Sequence, residues 1–199
     1  MRLLVVQQAL SLAVLQRGAP VVHGQVLRWG LQRAQGLVRQ LLHAATRAPT
    51  AMHAEPWAFV VVQDIGRLHR YSDLAKASWR GHAFAAALLR TDFNVFYDAS
   101  TLIVILAKPS GPFAVADCWL AAENLMLAAT ALGLGTCCIG SAVEALSHPA
   151  VRAELGIPSD YTVVAPIIVG HIASPAAPTS RRAPDIVQWI TPEGERGTS

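Results

Sequence analysis

Acidic residues are missing from the first quarter of this chain. All 13 Asp and Glu residues of the 199-residue sequence follow position 54, and the first of them is Glu55. At the density of the remaining chain, the first 54 residues would hold about five acids, so a solvated pair of helices there would have an unusual composition. Two hypotheses account for this absence: the stretch before Leu41 is a genuinely divergent segment, or it is a sequence artefact such as a shifted reading frame.

Cysteine is also scarce, with Cys118, Cys137 and Cys138 as the whole set. Neighbouring cysteines rarely bond to each other and a third would be left over, so no disulfide framework is expected. The spacing contains no C-x-x-C pair, and no metal site is predicted. Reduced thiols favour a cytoplasmic location. A redox role for Cys137 or Cys138 is disfavoured, because nothing nearby in the sequence would lower a thiol pKa.

Uninterrupted hydrophobic and basic runs are lacking as well. The apolar stretch 3–15 is broken by Gln7, Gln8 and Ser11. It is too short to span a bilayer and has no clear small-x-small cleavage site. The net charge is only +3 and no Lys/Arg-rich run occurs. We therefore expect neither a membrane nor a nucleic acid as partner.

Apolar residues make up 53% of the chain and charged residues 15%. This balance favours one domain with a large core and a buried subunit interface. Periodicity and breakers predict helices separated by strands, which gives an α/β or α+β sandwich. The predicted helices are 3–16, 31–45, 65–78, 84–90, 113–132, 141–146 and 149–155, and the predicted strands are 57–63, 101–107, 136–139 and 161–169.

A Pro-bounded loop of small residues joins the helix 31–45 to the strand 57–63. Residues 47–59 read Arg-Ala-Pro-Thr-Ala-Met-His-Ala-Glu-Pro-Trp-Ala-Phe. Two prolines restrict its backbone, so Thr50, His53 and Glu55 would face a site that binds something flat or anionic. The alternative is a plain connector whose Trp57 fills the core.

This loop resembles the A-P-[ST]-A-x-[NH]-x-[QE]-P-W signature of the nitroreductase family of FMN-dependent oxidoreductases. Residues 117–136, from Asp117 through Asn124 to Gly133-Leu134-Gly135-Thr136, resemble the central helix and following turn of that family. Leu155-Gly156-Ile157-Pro158 resembles the segment that leads into its last strand. The resemblance covers residues 41–190. It implies an α+β fold, a nitroreductase-like sandwich with a mixed or antiparallel central sheet flanked by helices, in an entwined homodimer. Apolar runs alone would suggest parallel strands.

The resemblance implies an FMN site at the homodimer interface. The residues it places there contact one face of the isoalloxazine and the ribityl chain (Pro49, Thr50, Met52, His53), the other side of the ring largely by backbone (Cys138, Ile139, Gly140), and the phosphate (Arg181, Arg182). An Arg guanidinium offers a planar fork to phosphate oxygens; the alternative for the two arginines is a solvated pair in the tail. The resemblance implies no catalytic side chain, because the flavin itself carries the hydride.

One element of the family pattern does not appear. An R-R-S-x-R segment, which helps to hold the phosphate, is expected around residues 16–27, and only Arg17 could stand in for it. The expected organisation is therefore a divergent helical segment (1–40), a nitroreductase-like FMN-binding domain (41–190) and a tail (191–199).

The resemblance implies a ping-pong oxidoreductase. NADH or NADPH reduces FMN and leaves, and a nitro-aromatic, quinone or other flat acceptor then takes the electrons. The missing arginine segment leaves a second hypothesis open, a degenerate dimer with weak or no flavin binding and a non-catalytic binding role. A third hypothesis, a membrane or nucleic-acid protein that uses the acid-free N-terminus, has little support in the sequence.

Overall fold

The computed structural model describes residues 25–79, 93–171 and 182–190, with side chains from residue 34 onward. The predicted helices 3–16 and 84–90 lie outside these residues. No helix in the described part of the chain is long and apolar enough to cross a membrane.

The other predicted elements are present: three have the predicted boundaries, α1 begins six residues earlier than predicted, and the rest shift by one or two residues. The helices are α1 (Gln25–Ala45), α2 (Ile65–Ser78), α3 (Ala114–Ala131), α4 (Val143–Ser147) and α5 (Pro149–Leu155), and the strands are β1 (Trp57–Val62), β2 (Thr101–Ala107), β3 (Leu134–Cys138) and β4 (Thr162–His171). β3 begins earlier than the prediction because Gly133 has a left-handed φ of 71°. Glycine adopts this conformation without strain, so the chain reverses immediately after α3.

The four strands form one antiparallel sheet in the order β1-β2-β4-β3. The fold is an α+β sandwich, as the resemblance implied, although apolar runs alone suggested parallel pairing. All seven residues of β2 are buried. The reason is that helices cover both faces of this sheet, so an antiparallel central strand also needs apolar residues on both sides.

Two apolar clusters lie on the two faces of the sheet. Leu102 and Leu106 point into the cluster that α2, α4 and α5 cover. Ile103 and Ile105 point into the other cluster, together with residues of α1 and α3. α3 lies across this second face and contacts all four strands. The sheet therefore separates an α1/α3 side from an α2/α4/α5 side.

Pro166 sets the point at which β3 leaves the sheet. The Ile139 amide donates to the Pro166 carbonyl at 2.7 Å, beyond the last ladder pair, Cys138 with Ile167. In an antiparallel sheet, the amide nitrogen and the carbonyl of one residue face the same neighbouring strand. Pro166 has no N–H, so at this position it offers β3 an acceptor but no donor. The pairing of β4 with β2 shifts register nearby, between Ile105 and Leu106. This agrees with the irregular strand pairing predicted from Pro166. The turn after β3 starts at Ile139, beside Pro166.

Candidate functional site

The loop between α1 and β1 is anchored at both ends and exposed in the middle. Thr46 closes α1, with its amide bonded to the Leu42 carbonyl at 3.0 Å and its Oγ1 donating to the His43 carbonyl at 2.9 Å. At the other end, the buried Pro56 accepts from the Lys108 amide at 2.7 Å. Between these anchors, Met52 is 95% exposed. The backbone of the loop is therefore held at both ends, and its exposed side chains are available to bind a ligand.

Left-handed backbone gives this loop its shape. Met52, His53 and Glu55 have φ values of 53°, 54° and 43°. Each such residue costs about 1–2 kcal/mol when it is not glycine. Strain of this kind persists only where surrounding contacts impose it, and it concentrates at functional sites.

One contact that imposes this shape comes from α3. Both carboxylate oxygens of Asp117 accept from the Ala51 amide, each at 3.2 Å. Within the loop, the Glu55 amide lies 3.4 Å from Thr50 Oγ1. Neither Met52 nor His53 makes a side-chain hydrogen bond to another described residue. His53 is exposed, and its imidazole is thus available to a ligand.

The turn that follows β3 is the second segment predicted to contact the ligand, on the side opposite the loop. The loop and this turn are the two walls of the predicted site. A short 3₁₀ turn, Gly140–Ala142, is closed by the bond from the Ala142 amide to the Ile139 carbonyl at 2.9 Å. Trp79 Nε1 on the far side donates to the Ser141 carbonyl at 3.2 Å. A Cβ placed on Gly140 would meet no atom within 4 Å. The backbone there borders open space, which a flat ligand can approach closely.

Side chains at this turn differ in their access to that space. Ile139 is only 5% exposed and belongs to the core on the α2 side. Cys138 is half-buried, and Gly140 is exposed. Contacts from this turn to a ligand would therefore be made mainly by backbone, which is also what the family resemblance implies.

The loop and the turn adjoin opposite edges of the sheet. The loop precedes β1 and the turn follows β3, and these are the two edge strands of the sheet. Three strand spacings separate the edges, about 14 Å. The loop is bonded to α3 on one face of the sheet, whereas the turn is bonded to Trp79 on the α2 side. Two protein segments stacked on opposite faces of one flat ring are roughly 7 Å apart, about half the distance between these two edge strands.

The predicted phosphate-binding arginines are described only in part. Arg181 lies outside the described residues. Arg182 is exposed, and the segment 182–190 to which it belongs is exposed throughout, with Trp189 at 66% and Ile190 at 80%. No described contact joins Arg182 to the loop or the turn.

A cavity of about 320 Å³ lies at the other end of the sheet from the loop. Its lining comes from α1, the start of β2, the start of β3 and the end of β4 (Ala34, Leu37, Val38, Leu41, Ser100, Thr101, Leu134, Val169, Gly170 and His171). The loop joins the sheet beside Ala107, six residues along β2 from Thr101, a distance of about 20 Å. This cavity is separate from the predicted site. Among the described residues, no group of three or more His, Cys, Asp or Glu side chains could hold a metal ion.

Burial controls the chemistry of the two cysteines beside the turn. Desolvation, with a further contribution from the neighbouring Cys137, raises the pKa of Cys138 to about 11. Burial also raises the pKa of Cys137. A raised pKa means less thiolate at neutral pH, and the thiolate is the nucleophile. This agrees with the expectation that nothing near either cysteine lowers its thiol pKa.

We expect slow alkylation of Cys138 as a consequence. At pH 8 a thiol of pKa about 11 is roughly one part in a thousand thiolate, against about a quarter for an ordinary cysteine. Iodoacetamide should modify Cys138 at least about tenfold more slowly than it modifies free cysteine, because the scarcity of thiolate outweighs its higher intrinsic nucleophilicity, as measured by peptide mass spectrometry over time. The same protein unfolded in guanidinium chloride is the control. Equal rates in the folded and unfolded states would contradict the burial of this thiol.

Sequence reasoning named the loop and the turn but assigned no role to Asp117. The signal in the sequence was that Asp117 is the single acid in the first turn of α3, among apolar residues. Its partner, Ala51, is 66 residues away along the chain. No local pattern could indicate which amide this carboxylate would meet.

The chain is similar to known proteins in sequence and in fold. The model of the Nitroreductase family matches residues 34–171. An Archaeoglobus fulgidus protein with the provisional name NADH dehydrogenase/NAD(P)H nitroreductase is 32% identical over 139 residues, which are 67% of this chain and 71% of that protein. A 4-nitrobenzoate reductase from Nocardioides is 27% identical over 176 residues, with 67% of this chain and 70% of that protein covered.

A solved structure shares the fold. The crystal structure of a Bacteroides fragilis nitroreductase with bound FMN superposes with a TM-score of 0.68 at 26% identity. The match covers 78% of this chain and 87% of that protein.

Proposed function

The chain belongs to the nitroreductase family, and on that premise we propose that it is an FMN-dependent oxidoreductase. NADH or NADPH would donate the electrons, and a nitro-aromatic, a quinone or another flat aromatic would accept them. The observation that carries the proposal is the exposed left-handed loop at Met52 and His53, which offers rigid backbone and free side chains to a planar ligand.

The residues present fit a flavin ring. The open space in front of Gly140 admits a planar group against the backbone of the turn. Pro49, Thr50, Met52 and His53 would cover one face of the ring and the ribityl chain, and Cys138, Ile139 and Gly140 would lie along the other side. FMN, when bound, supplies the two-electron chemistry, accepting hydride from NAD(P)H and then passing the electrons to the acceptor in a ping-pong cycle.

The phosphate end would rest on Arg181 and Arg182. Arg182 is exposed and forms no ion pair with another described residue, so its guanidinium is free to bind an anion. In this proposal the flavin-binding unit spans residues 41–190. Residues 1–40 precede it, and 191–199 form a tail. A cytoplasmic location stays a prediction.

We propose a homodimer because the two walls belong to opposite edges and faces of one sheet. A two-fold axis would place the loop of one protomer against the turn of its partner, and the reverse, which gives two equivalent sites. α3 offers the surface for this contact. Its outward side carries Val115, Trp119, Leu120 and Leu127, with Phe113 at the N-cap, each between 46% and 59% exposed, and Glu123 is the exposed acid among them. A cluster of exposed apolar side chains with a polar residue beside it is typical of an interface.

The purified protein should be yellow, or become yellow with added FMN, and should oxidise NADH or NADPH in the presence of a quinone or a nitro-aromatic. Visible absorbance would report bound flavin, and loss of absorbance at 340 nm would report the nicotinamide. Both donors are assayed with the same acceptor to establish the preference. A protein that stays colourless in excess FMN and oxidises neither donor would contradict the proposal and favour the degenerate, non-catalytic dimer.

A further inference from the structure

Asp117 is the one buried carboxylate among the residues that the structure describes, and the proposed chemistry assigns it no task. Its residue is only 4% exposed. Among the described residues no Lys, Arg or His lies within ion-pairing distance of it. Burying a carboxylate without a cation is unfavourable. Its described hydrogen-bond donor is a single backbone amide, that of Ala51.

That amide is at the start of the left-handed turn. Ala51 is the first residue of the 3₁₀ turn Ala51–His53, and Met52 and His53 follow it directly with positive φ. Thr50 precedes the turn but gives it no side-chain cap. The Asp117 carboxylate thus satisfies the first free amide of a turn that no local side chain caps. It fixes the residue from which the strained backbone departs.

The same side of α3 holds a second point of the α1–β1 connection. Asn124 Nδ2 donates to the Ala44 carbonyl at 3.3 Å, at the end of α1. Asp117, Ala121 and Asn124 lie on one face of the helix by their i, i+4, i+7 spacing. α3 therefore holds the loop at Ala51 and its entry at Ala44, and the outward side of the same helix carries the proposed dimer surface.

We infer that Asp117 is a positioning residue for the flavin, holding the Ala51 amide so that Met52 and His53 keep the left-handed shape that faces the ring. Asp117 does not itself touch the flavin in this arrangement. The inference rests on the proposed function, because it gives the loop its ligand. It goes further in naming the side chain that determines the geometry of the loop.

The test compares Asp117→Leu, which keeps the branching of the side chain and removes the acceptor, with Asp117→Asn, which is close to Asp in size and keeps one oxygen to accept the Ala51 amide. Asp73→Leu is the matched control, because Asp73 is exposed on α2, across the sheet from the loop. Hydrogen exchange of peptides that contain residues 49–55 is measured without FMN. FMN affinity is measured by quenching of flavin fluorescence, and Tm by thermal unfolding.

In the Asp117→Leu variant, the loop amides should exchange at least about tenfold faster, and FMN should bind at least about tenfold more weakly. The reason is that the hydrogen bond from the Ala51 amide to a charged acceptor is lost. Peptides from β2 and β4 should exchange as in the wild type. Asp117→Asn should recover most of the FMN affinity, and Asp73→Leu should match the wild type in both measurements.

The inference would be overturned if hydrogen exchange of the loop were unchanged in Asp117→Leu, or if the loop exchanged faster while FMN affinity stayed at the wild-type value. A global acceleration of exchange with a lowered Tm that Asp117→Asn shares would also overturn it, because Asp117 would then stabilise the fold in general. A wild-type protein that binds no FMN would overturn the proposed function. The two failures are distinguishable because the wild-type affinity is measured separately and the exchange experiment uses no flavin.

Discussion

Mixed dimers of a loop variant and a turn variant should bind FMN although neither variant binds it alone. The loop variant is Met52→Asp with His53→Asp, and the turn variant is Gly140→Trp. Aspartate tolerates the left-handed backbone at positions 52 and 53 better than most residues do, so the loop keeps its shape while two negative charges face the ring. A tryptophan at position 140 enters open space instead of the core, so it fills the place of the flavin without disturbing the fold.

The reason is the placement of the two walls on opposite edges of the sheet. A mixed dimer has one site built from the intact loop of one chain and the intact turn of the other, and one site in which both walls are altered. We expect about one FMN per mixed dimer and about none in either parent dimer. The two chains carry different affinity tags, so that mixed dimers are isolated before flavin is counted by absorbance against protein mass.

A matched control uses the same substitutions in another arrangement. When loop and turn substitutions are placed in one chain and the partner is wild type, each site has one altered wall, and the mixed dimer should bind no FMN. A site contained within a single chain predicts the reverse for both arrangements. Binding by the second type of dimer but not the first would therefore contradict a site shared between protomers.

Charges on the outward side of α3 should convert the dimer to a monomer and abolish flavin binding with it. Trp119 is 46% exposed and Leu127 is 59% exposed, and their spacing of eight residues keeps them on one face of the helix. Trp119→Glu with Leu127→Glu would bury an unpaired charge at each position, and each charge costs several kcal/mol. We expect the dimer dissociation constant to rise by about 10³ or more.

Size-exclusion chromatography with light scattering measures the mass, and flavin absorbance measures the bound FMN. The control is Ile65→Glu with Leu74→Glu on α2, across the sheet, where the parent residues are 55% and 42% exposed. It should remain a dimer that holds FMN. A double variant of α3 that keeps both the dimer and the flavin would place the interface elsewhere, and a monomer that keeps its flavin would show that one chain suffices.

The sequence predicted the local structure well where the signal was local. Prolines and small residues marked the loop, Gly133 marked the end of α3, and apolar runs marked β2 and β4 as buried. The boundaries of α2, β2 and α5 agree with the prediction because capping, breakers and apolar periodicity act within a few residues. Pro166 likewise predicted the irregular pairing of β4.

The conformation inside the loop could not be predicted in this way. Met, His and Glu ordinarily avoid positive φ, so their residue types argue against the backbone that Met52, His53 and Glu55 adopt. Contacts from elsewhere in the fold overrule the local preference. The bond from the Ala51 amide to Asp117 joins residues 66 positions apart, and only packing of α3 against the loop brings them together.

By itself the sequence determined the elements, the apolar strands and the family, because residue periodicity, breakers and the loop signature are properties of neighbouring residues. The tertiary structure alone decided the strand order, which puts the loop and the turn on opposite edges and faces of the sheet. It also decided that an acid of α3 holds the loop. Strand order and the Asp117 contact depend on which distant segments pack together. This packing is determined by the need to bury both faces of the sheet at once.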